Sequence, residues 1–206
     1  MNKQYTPLLA DRYYHIYSRA IGSEKLFLSN ENYLYFLRKM KQHILPVANV
    51  FAYSLLPNHF HLLVRIKQMD ILKTFFENKK SRPFHELLHD MPDFVMEQFS
   101  NWLNGYCKAF NKMYNRKGGL FIDYLKRNEA ETDADITSFI FYIHKNAVHH
   151  GLTKRIGEWA YDSYQPIISE KQTSLSRDEI IAWFGSKKLF IDFHKQPVEL
   201  KKINLE

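Results

Sequence analysis

Two histidines separated by one residue offer the clearest chemistry in this sequence. His59 and His61 lie in the run HFHLLVRI, which follows the turn residues Pro57 and Asn58 and has the alternation of a β-strand. Side chains alternate across a strand, so both imidazoles project from one face while Phe60 projects from the other. Two imidazoles in this position can bind one divalent metal. The alternative is a pair of surface histidines on an amphipathic strand.

The other residue types limit which metal such a site could hold. A structural zinc site needs further Cys or His ligands, and the single cysteine, Cys107, lies in a predicted helix. Two imidazoles leave coordination positions open for phosphate oxygens. This arrangement favours Mg²⁺ or Mn²⁺ as the ion.

A tyrosine and an asparagine on a later helix form the second candidate group. The helix is predicted over residues 134–150, and Tyr142 and Asn146 lie one turn apart on a polar stripe beside its apolar face. A phenol and an amide oxygen on one face could both reach a metal-bound phosphate. The alternative is a packing tyrosine and an asparagine that caps the helix end.

Composition indicates the class of partner. The 206 residues contain 29 Lys and Arg against 22 Asp and Glu, a net charge of +7, and 16% are aromatic. Basic side chains neutralise phosphates and aromatic rings stack on unpaired bases, so a nucleic acid fits, although a solvated basic surface is the alternative. The hydrophobic fraction of 45% excludes wholesale disorder, and one cysteine excludes an internal disulfide. No segment resembles a membrane span or a signal peptide, so a cytoplasmic protein is expected.

The elements that position these residues follow from the periodicity of apolar side chains. Strands are predicted over residues 12–20, 48–56, 59–66 and 120–127. Helices are predicted over residues 29–46, 83–115 (in two pieces) and 134–150, with a short helix and a basic loop over 70–82 and a short amphipathic helix within 176–194. Asn30 and Asp133 are the expected caps of the first and last long helices. This order predicts an α+β fold, a ferredoxin-like antiparallel sheet of four to five strands with helices packed on one face.

Several of these segments, in this order, resemble the Y1 tyrosine transposases of the IS200/IS605 type. The resemblance is closest to their single-copy relatives, the REP-associated tyrosine transposases, within the HUH single-strand nuclease superfamily. It is carried by residues 14–19 (YHIYSR), 56–64 (LPNHFHLLV), 119–121 (GLF) and 142–151 (YIHKNAVHHG), and then by Trp159, Ser163 and Tyr164. It implies a catalytic domain over residues 1–166 and a mostly helical C-terminal appendage over 167–206 that is not an independent domain.

The resemblance also implies roles for the candidate residues. His59 and His61 would hold the divalent metal, Mg²⁺ or Mn²⁺, with Asn146 completing its site. Tyr142 would be the nucleophile. Ala147 stands where the family usually has proline, a change that a helix interior tolerates.

Two further features bear on the resemblance. Ile122, Asp123 and Tyr124 stand where relatives often carry polar and arginine residues, which affects the expected DNA contacts rather than the chemistry. Tyr106 and Tyr114 are also helical tyrosines, but they do not match the family motif and rank below the tyrosine that does.

The implied activity is metal-dependent cleavage and rejoining of single-stranded DNA through a 5′-phosphotyrosine, on hairpins with adjacent unpaired bases. The cations expected to contact the DNA backbone are Arg19, Lys112, Arg116, Lys126 and Arg127. Two other functions stay open: a hairpin-DNA-binding protein with little turnover, and a phosphohydrolase that uses water as the nucleophile. A bacterial, nucleoid-associated protein is expected, and both a monomer and a homodimer with shared sites remain open.

Overall fold

The computed structural model describes residues 6–85, 90–122 and 125–195. Within these ranges the elements follow one another as β1 (Tyr13–Arg19), α1 (Asn30–His43), β2 (Ala48–Leu56), β3 (His59–Ile66), α2 (Met69–Lys80), α3 (Met91–Met113), β4 (Lys126–Ala130), α4 (Asp133–His149), α5 (Tyr164–Ile168), α6 (Arg177–Phe184) and α7 (Lys187–Lys195).

The strands form one antiparallel sheet in the order β2-β3-β1-β4. A tight turn at Pro57 and Asn58 joins β2 to β3, and both strands have the ranges predicted from the sequence. The strand order and the βαββαβ succession of the core are those of a ferredoxin-like fold. The predicted α+β class is therefore confirmed.

Helices α1 and α3 cover one face of this sheet. The Phe60 ring of β3 lies 5.2 Å from the ring of Phe36 in α1 and 5.2 Å from that of Trp102 in α3. Trp102 Nε1 also donates a hydrogen bond of 3.1 Å to the Phe36 carbonyl, which ties the two helices together. Large aromatic side chains bury much apolar surface, so this layer forms a large part of the core.

Helix α4 covers the opposite face, where it packs across β2 and β3. Its Phe139 ring lies 4.9 Å from the His15 ring of β1. The structure thus corrects one detail of the prediction, because helices pack on both faces of the sheet and not on one. The reason is that β2 and β3 carry buried side chains on both faces, so the second face also needs an apolar cover.

The N-caps of α1 and α4 each lie one residue earlier than predicted. Ser29, not Asn30, is the N-cap of α1, and Asn32 Oδ1 accepts the Ser29 backbone N–H at 3.1 Å. Thr132 replaces Asp133 as the cap of α4. Thr132 Oγ1 accepts the Asp135 N–H at 3.1 Å, and Asp135 Oδ2 accepts the Thr132 N–H at 3.0 Å. This reciprocal capping box fixes where the helix begins.

The fourth strand and the third helix also differ from their predicted ranges. β4 begins at Lys126, near the end of the predicted range 120–127, and Phe121 makes only an isolated bridge to Ala20. β4 is a short edge strand of mostly half-exposed residues, so it lacks the apolar alternation on which the prediction depended. α3 begins at Met91 as one piece, while residues 86–89, Asp123 and Tyr124 lie outside the described residues.

The C-terminal helices contact the sheet and α4. The Trp183 ring of α6 lies 5.0 Å from the Phe51 ring and 5.7 Å from the Tyr13 ring. α7 meets α4 through His194 and His144. Residues 196–206 lie outside the described part of the chain. Across the described ranges, none of the helices has both the length and the apolar character needed to cross a membrane.

Candidate active site

The two strand histidines lie on the face of β3 that α4 covers. In the register of the sheet, His61 is opposite Tyr17 and His59 is opposite Arg19. The two imidazole centroids are 5.2 Å apart, with the ring planes perpendicular. His59 Nδ1 donates a hydrogen bond of 2.7 Å to Asn58 Oδ1, which leaves its Nε2 for another partner.

Helix α4 brings Tyr142 over these histidines. The Tyr142 ring centroid is 5.6 Å from that of His61 and 5.8 Å from that of His15, with edge-on geometry to both. Its side chain is half-buried. A phenol from a late helix and imidazoles from early strands therefore meet within one chain.

Asn146 lies one turn further along α4 and is 1% exposed. Its side chain interacts with His59, yet neither Asn146 Oδ1 nor Nδ2 has a hydrogen bond of acceptable geometry within the described part of the chain. The same holds for the buried His61 Nε2. Buried polar atoms are nearly always paired, and a bound cation would engage two of these unsatisfied atoms, the His61 imidazole nitrogen and the Asn146 amide oxygen.

A divalent cation therefore fits this donor set, with few ligands from the protein. Over the described ranges, no group of three or more His, Cys, Asp or Glu side chains is placed to hold a metal. A cation here would be held by His59, His61 and the Asn146 amide, with the remaining positions filled by water or substrate oxygens. Hard cations such as Mg²⁺ usually keep several such ligands.

Burial keeps the imidazoles of the site neutral. It lowers the pKa of His59 to about 4, with a further lowering from His150 and Arg19 and an opposing effect of the Asn146 side chain. Burial also lowers the pKa of His15 to about 3 and that of His61 well below its usual range. A neutral imidazole keeps the lone pair that coordinates a cation, so the histidines are in a ligating form near neutral pH.

Sequence reasoning missed three aromatic side chains of this site. His15 Nε2 lies 3.0 Å from His61 Nδ1, and the Tyr17 ring stacks on His61 with centroids 5.6 Å apart. The His150 ring lies 4.7 Å from that of His59. Strand alternation carries a signal for the first two, because the odd-numbered residues of β1 and β3 share one face of the sheet. Helical spacing carries a signal for the third, because His150 lies one turn beyond Asn146 at the end of α4.

A second pair of histidines anchors α4 to the rest of the fold. His194 Nδ1 lies 2.7 Å from the Phe190 carbonyl, so that nitrogen carries the proton and Nε2 accepts from His144 Nδ1 at 2.9 Å. His144 Nε2 then accepts from Ser163 Oγ at 2.7 Å, and Ser163 Oγ accepts the Tyr53 backbone N–H at 2.9 Å. Every donor of this buried chain has an acceptor. This hydrogen-bonded chain links four parts of the fold, namely β2, α4, α7 and the segment that precedes α5.

Two of the five cations predicted to contact DNA lie on the face of the site. Arg19 is exposed and lies opposite His59 in the pairing of β1 with β3. Lys126 Nζ lies 5.8 Å from the Tyr17 ring centroid. Arg127 points to the opposite face, where its Nη1 lies 3.2 Å from Met96 Sδ.

The other two cations lie at the C-terminal end of α3. Lys112 is exposed. Arg116 Nη2 lies 2.5 Å from Glu24 Oε1 and 2.6 Å from the Gly119 carbonyl, so it holds the turn between α3 and β4. A DNA contact by each of the five cations stays a prediction.

The two tyrosines that do not match the family motif lie away from the histidines. Tyr106 is buried between α1 and α3 and donates a hydrogen bond to the Leu26 carbonyl. Tyr114 Oη donates to Asn32 Oδ1 at 3.0 Å. Both belong to the helical layer on the other face of the sheet.

The fold and the site together define the class: a ferredoxin-like antiparallel sheet with a His-x-His strand and a tyrosine on the helix above it. No family model matches the chain. A curated protein of Haemophilus influenzae, named "Putative REP-associated tyrosine transposase", is 26% identical over 115 residues, which is 55% of this chain and 57% of that protein. The matched segment thus spans little more than half of the relative.

Similarity of fold extends further than similarity of sequence. A solved structure of a REP-associated tyrosine transposase bound to a REP hairpin matches with a TM-score of 0.59 at 10% identity, covering 82% of this chain and 87% of that chain. The chain therefore has the fold of that transposase. Its resemblance to the REP-associated tyrosine transposases, predicted from the motifs, is confirmed.

Proposed function

We propose that this protein cleaves and rejoins single-stranded DNA beside a hairpin through a 5′-phosphotyrosine intermediate that depends on a divalent cation. The observation that supports this most is the meeting of Tyr142 with His61 at 5.6 Å between ring centroids. The solved relative of the same fold is bound to a REP hairpin, which indicates the form of the substrate.

In this proposal the side chains of the site have separate roles in metal binding and in nucleophilic attack. His59, His61 and Asn146 would hold Mg²⁺ or Mn²⁺, and the bound ion would supply positive charge for the scissile phosphate. Tyr142 Oη attacks the phosphorus in line, and the bond from phosphorus to the 3′ oxygen breaks. The phenol proton leaves with an acceptor, and the departing oxygen gains a proton to become a 3′-hydroxyl.

The covalent intermediate keeps the energy of the phosphate ester. A second 3′-hydroxyl attacks the phosphotyrosine, the new phosphodiester forms, and the Tyr142 phenol is restored. Rejoining therefore needs no nucleotide triphosphate. Arg19 and Lys126, on the same face as the histidines, bind backbone phosphates near the reacting group.

The site works within one chain in this proposal, because Tyr142 and both histidines come from the same protomer. A mixing experiment tests this directly. Tyr142→Phe and His59→Ala, each inactive alone, should remain inactive when combined, whereas restored cleavage would show that two subunits share a site.

A denaturing gel tests the chemistry. Labelled single-stranded hairpin DNA is incubated with the protein and Mg²⁺ or Mn²⁺, and a covalent adduct is expected with the wild type but not with Tyr142→Phe. Tyr114→Phe is the matched control, since it removes the hydroxyl of a helical tyrosine on the other face of the sheet.

The same gel distinguishes the other functions. Binding without cleavage by the wild type would indicate a hairpin-binding protein. Cleavage that survives Tyr142→Phe would indicate a phosphohydrolase that uses water. Either result would overturn the proposal.

A further inference from the structure

His15 is a buried histidine of β1 to which the motifs of the resemblance assign no role, yet it makes a direct contact with one of the metal-ligating candidates. Its Nε2 lies 3.0 Å from His61 Nδ1, and both side chains are buried. The ring is held in place by Tyr17, at 5.0 Å between centroids, and by Phe139 of α4, at 4.9 Å. The contact is therefore a fixed feature of the packing between sheet and helix.

Two neutral imidazoles can share one hydrogen bond in only two ways. In the first, His61 Nδ1–H donates to His15 Nε2, and His61 Nε2 keeps a lone pair. In the second, His15 Nε2–H donates to His61 Nδ1, and His61 Nε2 carries the proton. Only the first way leaves His61 able to coordinate a cation through Nε2.

In the first arrangement, the two buried nitrogens of the pair that lack a partner in the described part of the chain carry a proton on His15 Nδ1 and a lone pair on His61 Nε2. His61 Nε2 is buried without a hydrogen-bond partner in the described part of the chain, as are both polar atoms of the Asn146 amide. A cation would satisfy the His61 lone pair and the amide oxygen together. In the second arrangement a buried N–H would face that same position and repel the cation.

We propose that His15 is a positioning residue that accepts a hydrogen bond from His61 Nδ1 and thereby reserves the Nε2 lone pair of His61 for a divalent cation. This inference rests on the proposed function, because it presumes a cation at His59 and His61. His15 itself does not touch the cation. Such outer partners of a ligating histidine typically change metal affinity by roughly 10–100-fold when they are lost.

Mn²⁺ binding to the free protein, measured by electron paramagnetic resonance and by calorimetry, tests this without any reaction. His15→Phe keeps an aromatic ring but removes the acceptor, so the dissociation constant for Mn²⁺ should rise by roughly 10–100-fold. His15→Gln places an amide oxygen near the position of the lost nitrogen, so it should restore affinity to within a few-fold of the wild type. If His15 served packing alone, His15→Phe should bind Mn²⁺ more tightly than His15→Gln.

Tyr14→Phe is the matched control. Tyr14 is the buried neighbour on β1 that faces the other side of the sheet, where its hydroxyl bonds Pro7 and Leu9. This variant should lose stability without a change in Mn²⁺ affinity. His59→Ala should abolish Mn²⁺ binding, and if the wild type already binds no Mn²⁺, the proposed metal site itself is wrong.

A measurement on the wild type keeps the inference testable even if a variant does not fold. Two-bond ¹H–¹⁵N correlations of ¹⁵N-histidine-labelled protein report which nitrogen of His61 carries the proton. The proton is expected on Nδ1 before Mn²⁺ is added. A proton on Nε2, or unchanged Mn²⁺ affinity in folded His15→Phe, would overturn the role of His15 while leaving the gel test of the proposed function unaffected.

Discussion

The hydrogen-bonded chain through Ser163, His144 and His194 predicts a large effect for a very small substitution. Ser163→Ala removes one oxygen. That oxygen donates to His144 Nε2 at 2.7 Å and accepts the Tyr53 N–H at 2.9 Å. Among the described residues, the affected ring nitrogen and backbone N–H have no other partner, so the substitution leaves both unsatisfied.

The magnitude follows from the cost of unsatisfied groups. Each buried polar group left without a partner costs about 1–3 kcal/mol, so Ser163→Ala should lower the free energy of unfolding by roughly 2–6 kcal/mol. Domains of this kind are stable by only about 5–15 kcal/mol, so the loss is a large fraction of the total. The orientation of α4, and with it the Tyr142 ring, should become less well defined.

Urea denaturation followed by circular dichroism measures this loss. Ser169→Ala is the matched control, because Ser169 Oγ makes a single long contact of 3.4 Å to the Pro166 carbonyl. The control should change stability by about 0.5 kcal/mol or less. Equal losses in the two variants would refute the view that the buried chain anchors α4.

Three further predictions concern pH, DNA binding and helix capping. Burial lowers the pKa of five histidines in the folded chain: to about 3 for His15, to about 4 for His59 and His194, and well below the usual range for His61 and His144. Because these pKa values lie below the pKa of histidine in the unfolded chain, the unfolded chain binds more protons, and the free energy of unfolding should fall as the pH drops from about 6.5 to 4. Asp162 has the opposite effect, because burial raises its pKa to about 7 and the folded chain therefore binds one proton more at this group. Five histidines less one carboxyl give a net difference of about four protons, so the slope should reach roughly 5 kcal/mol per pH unit in urea titrations without metal, and a flat profile would contradict it. Lys126→Ala should weaken hairpin binding and reduce the salt slope by about 0.7 in fluorescence anisotropy, whereas Lys41→Ala, an exposed lysine of α1 on the other face of the sheet, should leave the slope unchanged. Thr132→Ala should lower the free energy of unfolding by about 1 kcal/mol in the same urea assay, and no loss would argue against its cap.

The parts of the fold that sequence predicted well are those with strong local patterns. β2 and β3 have the predicted ranges because period-two alternation ends at a Pro-Asn turn that breaks both strands. The same alternation placed His59 and His61 on one face. β4 was misplaced because an edge strand of polar residues carries no such pattern.

The parts of the site that sequence missed depend on contacts between distant residues. His15 and His61 meet because β1 pairs with β3, and no local spacing reports that pairing. The second covering helix was also missed as a layer, since its apolar stripe shows that it is buried but not on which face of the sheet. The roles of Tyr142 and of the two histidines came from the resemblance of motifs and stay predictions.

Mass spectrometry of the trapped protein–DNA adduct tests the central claim most directly. Wild-type protein is incubated with single-stranded hairpin DNA and Mn²⁺, digested with nuclease and protease, and analysed for peptides that carry a nucleotide through a phosphate ester. The account predicts this modification on Tyr142, joined to the 5′ side of the cleaved strand. Modification of another residue, or cleavage with every peptide unmodified, would contradict it.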